Sequence, residues 1–427
     1  MPASFANTRS FGVNSLPTTS GSAREWLRVL LMSFAPAIAL GFGRFAYALL
    51  LVPMRESEGW NYAQAGLVTS ANALGYLAGA LIVGSVARRW GAARTLGWSL
   101  VIVSASLALT GVPLPFAGLL VMRAIAGICG SLIFVAGAAV VIQIISSARS
   151  DSAVSVYFAG PGVGIAVSGL LIPLLLHPPL AWDWHLIWVA MGVAGLLTLA
   201  LLAPTLRLAH DATPRPAAAS TAVPGFVMRD YLLLWPAMLS YGLYGLGYIG
   251  YMTFIIAFLQ SIHVAPVLVQ SFWFILGVAA ASTGYIWGPM IKRLAPHYSM
   301  AALLFVLAVG ALLPIVVPQV WSFVLSAILF GGSFLGVVSA ITRQVRMYLP
   351  AERWTAVLGN ATAIFAIGQL IGPVLTGAIA DMQNGLAIGL LGSAALLGVA
   401  TLLVLVGPTP ERMSLRNMVS VETEMRS

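Results

Sequence analysis

Charge is what this sequence has least of. Only 8% of its 427 residues are Asp, Glu, Lys or Arg, against about 25% in a soluble domain, so an ordinary water-facing globular surface is excluded. Cysteine is almost missing. Cys129 stands alone inside an apolar run, which rules out an internal disulfide and a cysteine metal cluster and leaves packing as its role. No Gly-X-Y period is present and Leu, Val and Ile are plentiful, so collagen and disorder are excluded as well. The first 25 residues are polar and Ser/Thr-rich, with Arg9 and Arg24, and have no apolar stretch of their own. No cleavable signal peptide is therefore expected, and the first apolar run reads as the first span.

What is present is apolar: 60% hydrophobic residues and a mean hydropathy of +0.96. A helix crossing the ~30 Å hydrocarbon layer needs about 20 apolar residues. Twelve such runs are found, near 27–53, 63–86, 95–113, 116–142, 152–176, 185–204, 231–259, 264–290, 298–317, 320–342, 354–379 and 384–407. The 43 Gly and 24 Pro suit such helices, since breaks are tolerated in membranes more than in water. Residues 205–230 are Pro/Ala/Thr-rich and read as a flexible linker. The expected order is a tail over 1–26, six helices over 27–204, the linker over 205–230, six helices over 231–407 and a tail over 408–427.

The net charge of +9 and pI near 10 are explained by where the cations fall. With the amino terminus inside, 18 of the 21 Lys and Arg lie in inside loops or tails, only Arg55 lies outside, and Arg44 and Arg123 fall within spans. This is the positive-inside pattern. It predicts cytoplasmic termini and requires no nucleic-acid partner.

An internal repeat links the two sets of six. Gly41-Phe-Gly-Arg-Phe-Ala-Tyr47 matches Gly245-Leu-Gly-Tyr-Ile-Gly-Tyr251 at an offset of 204. The same offset relates Gly84-Ser-Val-Ala-Arg-Arg-Trp-Gly91 to Gly288-Pro-Met-Ile-Lys-Arg-Leu-Ala295. Gly160-Pro161 and Gly372-Pro373 form a third pair, offset by 212. Repeats of this kind mark many transporter folds.

These residues resemble the major facilitator superfamily. Gly84, Arg88, Arg89 and Gly91 look like its Gly-x-x-x-Asp-Arg-x-Gly loop motif, Arg123 to Gly127 like its Arg-x-x-x-Gly element, and Gly160-Pro161-Gly-Val-Gly164 like a Gly-Pro-x-x-Gly element often associated with antiporters. One position departs. Where the family has Asp, helping to latch the halves on the cytoplasmic side, this chain has Arg88, and the repeat mate is Lys292, followed by Arg293. Gly43-Arg-Phe-Ala-Tyr47, Tyr62-Ala-Gln-Ala-Gly66 and Ala71-Asn-Ala-Leu-Gly-Tyr76 further resemble the YbfB/YjiJ branch of bacterial transporters. The resemblance implies an all-α membrane protein of twelve transmembrane helices in two pseudo-symmetric six-helix halves. It also implies alternating access, with Gly84, Arg88, Arg89, Gly91, Gly160, Pro161, Gly288, Lys292, Arg293, Gly372 and Pro373 in gating or conformational roles.

The chemistry must come from polar groups inside the spans. None of the 12 acids falls within a predicted span, and the 5 histidines lie at span ends or in the linker. No hydrolytic triad, zinc constellation or phosphate loop is discernible, so an enzyme, a metal site and a cofactor are not expected. Arg44 and Arg123 remain, each costing about 2.5–3.5 kcal/mol to insert. Two guanidiniums at similar depth suit a carboxylate-like anion; bonding to helix-end carbonyls or snorkelling is the alternative. Tyr241, Tyr244, Tyr248 and Tyr251 share a helical face that points to a cavity lining, or to plain packing. Tyr47 lies one turn from Arg44. Asn72 and Tyr76, with Asn360 and Gln369, are neutral contacts or interhelical glue.

The sequence therefore predicts a monomeric transporter in a bacterial inner membrane, surrounded by lipid and moving a small organic anion. An efflux carrier for amphipathic drugs or sugars is the alternative within the class. A transporter-shaped sensor is the alternative outside it.

Overall fold

The structure is a computed structural model that describes residues 19–211 and 228–406. The tails before 19 and after 406, and the linker from 212 to 227, lie outside the described residues. Among the described residues, twelve helices are long and apolar enough to cross a membrane. Spans 1–6 are Ala23–Glu58, Tyr62–Trp90, Ala92–Thr110, Phe116–Ile144, Ser147–Leu176 and Trp184–Asp211; spans 7–12 are Leu233–Ser261, Pro266–Arg293, Pro296–Val316, Val320–Tyr348, Ala351–Ala380 and Gly385–Leu405. The six-and-six arrangement agrees with the sequence reading. The helix of span 6 runs on to Asp211, so the stretch read as linker begins as helix.

Local chemistry sets the ends. Span 1 stops at Gly59, whose φ of 69° is left-handed and costs glycine little. Span 2 opens on a capping box: Gln64 N–H donates to Asn61 Oδ1 at 2.7 Å, and Asn61 N–H donates to Gln64 Oε1 at 3.0 Å. Spans 8 and 9 start with Pro266 and Pro296, placed where a missing N–H does no harm. Span 1 is the irregular one. Residues Ala37–Phe45 are wound as a π-helix, closed by Ala46 N–H donating to the Gly41 carbonyl at 2.9 Å. Such segments gather at functional sites, and this one carries Arg44.

Without a hydrophobic force between helices in lipid, close contact of small residues holds them together. A Cβ on Gly75 would collide with Ala124 and one on Gly127 with Asn72, so spans 2 and 4 touch backbone to backbone. Gly41 and Gly164 join spans 1 and 5 in the same way. Two seams join the halves: Gly162 and Gly277 pack span 5 on span 8, and Gly66 and Gly377 pack span 2 on span 11. Leu81, Leu197, Phe305 and Leu402 are largely exposed on the perimeter, as a lipid-facing belt requires.

The two ends of the bundle differ. The Gly66–Pro373, Gly377–Tyr62 and Gly162–Ala281 contacts lie at mid-bundle or toward the end that holds Gly59 and Asp381, called here the outer end. Toward the other, basic end, which holds Arg88, Arg89, Lys292 and Arg293, a Cβ on Gly288 or Gly359 would meet nothing within 4 Å. The close glycine contacts between the halves thus lie at mid-bundle and toward the outer end.

Candidate functional site

Among the described residues, Arg44 and Arg123 are the buried side chains that carry fixed charge, and no Asp or Glu is buried. Their surroundings differ. Arg44 lies on the π-helical part of span 1 with 5% exposure. Its Nη2 donates across the halves to the Tyr248 hydroxyl at 3.5 Å, and its Nε has no partner. The guanidinium carbon stands 5.2 Å from the Tyr76 ring centre and 5.7 Å from that of Phe45, close enough for cation–π attraction.

Tyr248 is the centre of the second half's contribution. Gln369 Nε2 donates to its hydroxyl at 2.6 Å. With Gln369 and Arg44 both donating, the phenol oxygen is an acceptor twice over, and its own proton is left for a third group. Around it rises a stack of rings. Tyr241, Tyr244, Tyr248, Phe365 and Phe334 pair at centroid distances of 4.6–6.0 Å, with interplanar angles of 8–22°. Phe45 closes on Phe334 edge-on at 5.9 Å. One cation, one free hydroxyl proton and a wall of aligned aromatic faces thus converge from spans 1, 7, 10 and 11.

Arg123 is enclosed in the first half. It is fully buried, and Nε, Nη1 and Nη2 all lack hydrogen-bond partners. Two rings bracket it, Trp188 at 4.9 Å and Tyr47 at 5.7 Å. No hydrogen bond or ring contact links it to Tyr248 or Gln369.

The remaining residues singled out in the sequence divide. The structure brings Tyr241, Tyr244, Tyr248 and Gln369 together beside Arg44. Tyr244 is committed within that group, its hydroxyl donating to the Phe334 carbonyl at 2.5 Å. Tyr251 is turned away: its hydroxyl bonds Ser326 Oγ at 2.8 Å and its ring meets Phe330. It lies about 4.5 Å further along the helix axis than Tyr248, at 1.5 Å per residue, and so beyond the stack. Tyr47 also departs from Arg44, donating to the Ala65 carbonyl at 2.9 Å. Asn72 Nδ2 donates to the Arg123 carbonyl at 3.2 Å, a tie between spans 2 and 4. Asn360 is exposed, about 13 Å along span 11 from Gln369 at 1.5 Å per residue.

Of the conformational set, Gly91 turns the chain with φ of 81°, and Arg88 bonds back to Ser85 Oγ at 3.3 Å. The helix of span 5 is broken between Phe158 and Gly160, and a Cβ on Gly160 would strike the Ser33 carbonyl. Gly372 packs on Leu246, and the Pro373 carbonyl lies against Gly66. Lys292 and Arg293 are exposed at the basic end. Trp188, Phe45, Phe334 and Phe365 were not singled out by sequence, since lone aromatics in apolar runs carry no local signal. His/Cys/Asp/Glu clusters able to hold a metal are absent among the described residues.

"Probable anion transporter 4, chloroplastic" of Oryza sativa subsp. japonica is 30% identical over 184 residues, covering 42% of this chain and 30% of its own length. "Ascorbate transporter, chloroplastic" of Arabidopsis thaliana is 27% identical over 197 residues, 43% of this chain and 36% of its own. The chain thus spans about a third of the length of these curated relatives. Among solved structures, a bacterial homologue of the human lysosomal transporter Spinster superposes with a TM-score of 0.71 at 16% identity, covering 91% of this chain and 97% of that one. The nucleoside transporter NupG superposes with a TM-score of 0.67 at 16% identity, over 90% and 98%. Identities this low show the fold alone. A family model described as "Uncharacterised MFS-type transporter YbfB" matches residues 36–405, and with that match over most of its length the chain belongs to this family of major facilitator superfamily transporters.

Proposed function

We propose that this transporter carries a small organic anion across a bacterial inner membrane by alternating access, with Arg44 as the counter-charge. The observation that carries the reading is the state of Arg44. It is a buried cation with no carboxylate partner, an unpaired Nε and a single long bond to Tyr248. An unpaired charge in a span is costly, and an arriving carboxylate that accepts from the guanidinium in two parallel bonds removes that cost. The Tyr248 proton supplies a further donor. The aligned rings of Tyr241, Tyr244, Phe334 and Phe365 suit an apolar body on the same molecule. Arg123, enclosed by Tyr47 and Trp188, adds positive potential without contact.

The placement links binding to movement. Arg44 belongs to the first half, and Tyr248 and Gln369 to the second, so an anion held by both favours the states in which the halves approach. In the topology proposed here the basic end is cytoplasmic, and the close contacts between the halves lie toward the opposite, outer end. The printed names of the plant relatives include anion, ascorbate and sodium-dependent phosphate transport, and they support an anionic substrate. The protein is proposed to act as a monomer, with no cofactor.

A thermal-shift screen of the purified protein tests the reading, because a ligand that binds only the folded state raises apparent stability. Aliphatic and aromatic monocarboxylates, dicarboxylates, ascorbate, phosphate, neutral sugars and cationic amphiphiles form the panel. Stabilisation by members of the anionic set is expected. Stabilisation confined to sugars or cationic amphiphiles would overturn the assignment in favour of a carrier for those compounds.

A further inference from the structure

Asp381 is the first residue beyond span 11, and it bonds to a different half of the protein. Tyr62 N–H donates to its Oδ1 at 2.7 Å and Ala63 N–H to its Oδ2 at 3.0 Å. These are the first two N–H groups of span 2, which no helical carbonyl can reach. The next, of Gln64, is taken by Asn61 Oδ1. One helix is therefore capped jointly, by Asn61 from its own half and by Asp381 from the other. The carboxylate also meets the positive end of the helix dipole, and Arg55 adds a cation on this edge, 4.2 Å over the Tyr62 ring.

Both bonds depend on spans 2 and 11 touching at the outer end. The contact there is close: Gly66 lies against Pro373, Gly377 against Tyr62, and Ser70 Oγ donates to the Leu370 carbonyl at 2.6 Å. Rocking the halves apart at this end breaks the cap before any mid-membrane contact is lost. The seam related by the internal repeat is built differently. The first residue beyond span 5, as Asp381 is beyond span 11, is His177, bonded to its own helix at the Pro173 carbonyl at 2.9 Å. The position 204 after Tyr62 is Pro266, which has no N–H to offer. A cavity of about 380 Å³ lined by His177, Gln260, His263 and Pro266 lies at this seam. The carboxylate cap thus belongs to one seam and has no equivalent on the other.

Arg88 and Arg89 from the first half and Lys292 and Arg293 from the second are exposed at the basic end. Because span 2 packs on span 11 and span 5 on span 8, the two loops belong to different seams and their charges are not set directly against each other.

We propose that Asp381 is an outer latch: by capping span 2 from the other half it holds the outer end shut, and it releases whenever the transporter opens outward. It thereby sets the resting balance toward the outer-closed form. The proposal rests on alternating access but not on which anion is carried, and its test is run without ligand.

Spin-label distances in lipid nanodiscs read the balance, on a Cys129→Ser background. One reporter pair, Val112→Cys with Trp321→Cys, spans the outer end; the other, Trp90→Cys with Met347→Cys, spans the basic end. Losing a charged cap shifts a two-state ratio by about fivefold. Asp381→Ala is expected to raise the outer-open population by about that factor, lengthening the outer distance while shortening the basic one. Asp381→Asn keeps the side chain's volume and one acceptor, and is expected to give a smaller shift in the same direction. It supplies the reading if the Ala variant does not fold. Asp183→Asn, at another outer-end acid, controls for loss of surface charge and is expected to change neither distance. Wild-type distributions in both Asp381 variants, or an equal shift in the Asp183 control, would overturn the latch.

Discussion

Replacing Arg44 by Gln separates a substrate-binding arginine from a structural one, because the two roles predict opposite effects on the empty protein. Arg44 makes one hydrogen bond, at 3.5 Å, and leaves Nε unpaired. A bond that long contributes little, whereas an arginine near the centre of a span costs about 2.5–3.5 kcal/mol. Gln at this position loses the weak bond and also the cost, so the ligand-free melting temperature is expected to stay or rise. Binding behaves differently. Removing one partner of a buried, hydrogen-bonded charge pair costs about 2–5 kcal/mol; a middle value near 3 kcal/mol weakens Kd roughly 150-fold. Arg44→Lys keeps the charge but not the planar fork, and is expected to recover only part of that loss. The assay is calorimetric titration of purified wild type and variants with the strongest anion from the thermal-shift panel. Wild-type Kd in the Gln variant would refute the reasoning. So would a marked fall in ligand-free stability with binding intact, which would make Arg44 a structural residue.

Two other outcomes follow from the same geometry. Tyr248→Phe removes the free hydroxyl proton while keeping the ring in its stack, and is expected to weaken anion binding about tenfold, the worth of one hydrogen bond to a charged group, with calorimetry as the check. No Asp or Glu is buried among the described residues, and buried carboxylates or histidines are the usual proton relays in membranes; proteoliposomes preloaded with unlabelled anion should therefore take up labelled anion with no imposed pH gradient. Uptake that requires a gradient and collapses with a protonophore would show that the proton is coupled by another route.

The spans were legible because a run of apolar residues long enough to cross a membrane has few other uses, and all twelve lie where hydropathy puts them. Their ends were less so. Span 1 was read as 27–53 but extends over Ala23–Glu58, since helix continues into water through residues such as Arg55, Glu56 and Glu58 that hydropathy excludes. Arg44 is 14 residues from the outer end of that helix, but its depth below the apolar boundary is unchanged, because the added turns lie in water. The tyrosine stripe was visible as a spacing, yet spacing alone did not separate Tyr248, beside Arg44, from Tyr251, bonded to Ser326. Arg123 looked equivalent to Arg44 in depth. Its enclosure depends on Trp188, 65 positions away, and no local pattern reports such a partner. Asp381 read as an ordinary loop acid for the same reason: the N–H groups it bonds belong to residues 319 and 318 positions away.

The repeat explains why the candidate site lies where it does. Arg44 and Tyr248 occupy equivalent positions of the two halves, 204 residues apart, and they are in contact. Two equivalent positions in a pseudo-symmetric pair can meet only near the axis that relates them. That axis lies between the halves, where alternating access gives both sides of the membrane entry to a single site. An identical pair there would be poor: two arginines would repel each other, and two tyrosines would carry no charge. The chain instead places a cation on one half and a neutral donor, steadied by Gln369, on the other. Divergence of the repeat at this one position gives the proposed site its positive charge and leaves it attached to both halves. The proposed latch follows the same logic at the outer end, where Asp381 follows span 11 as His177 follows span 5. In both places the symmetry supplies the contact, and its breaking supplies the charge.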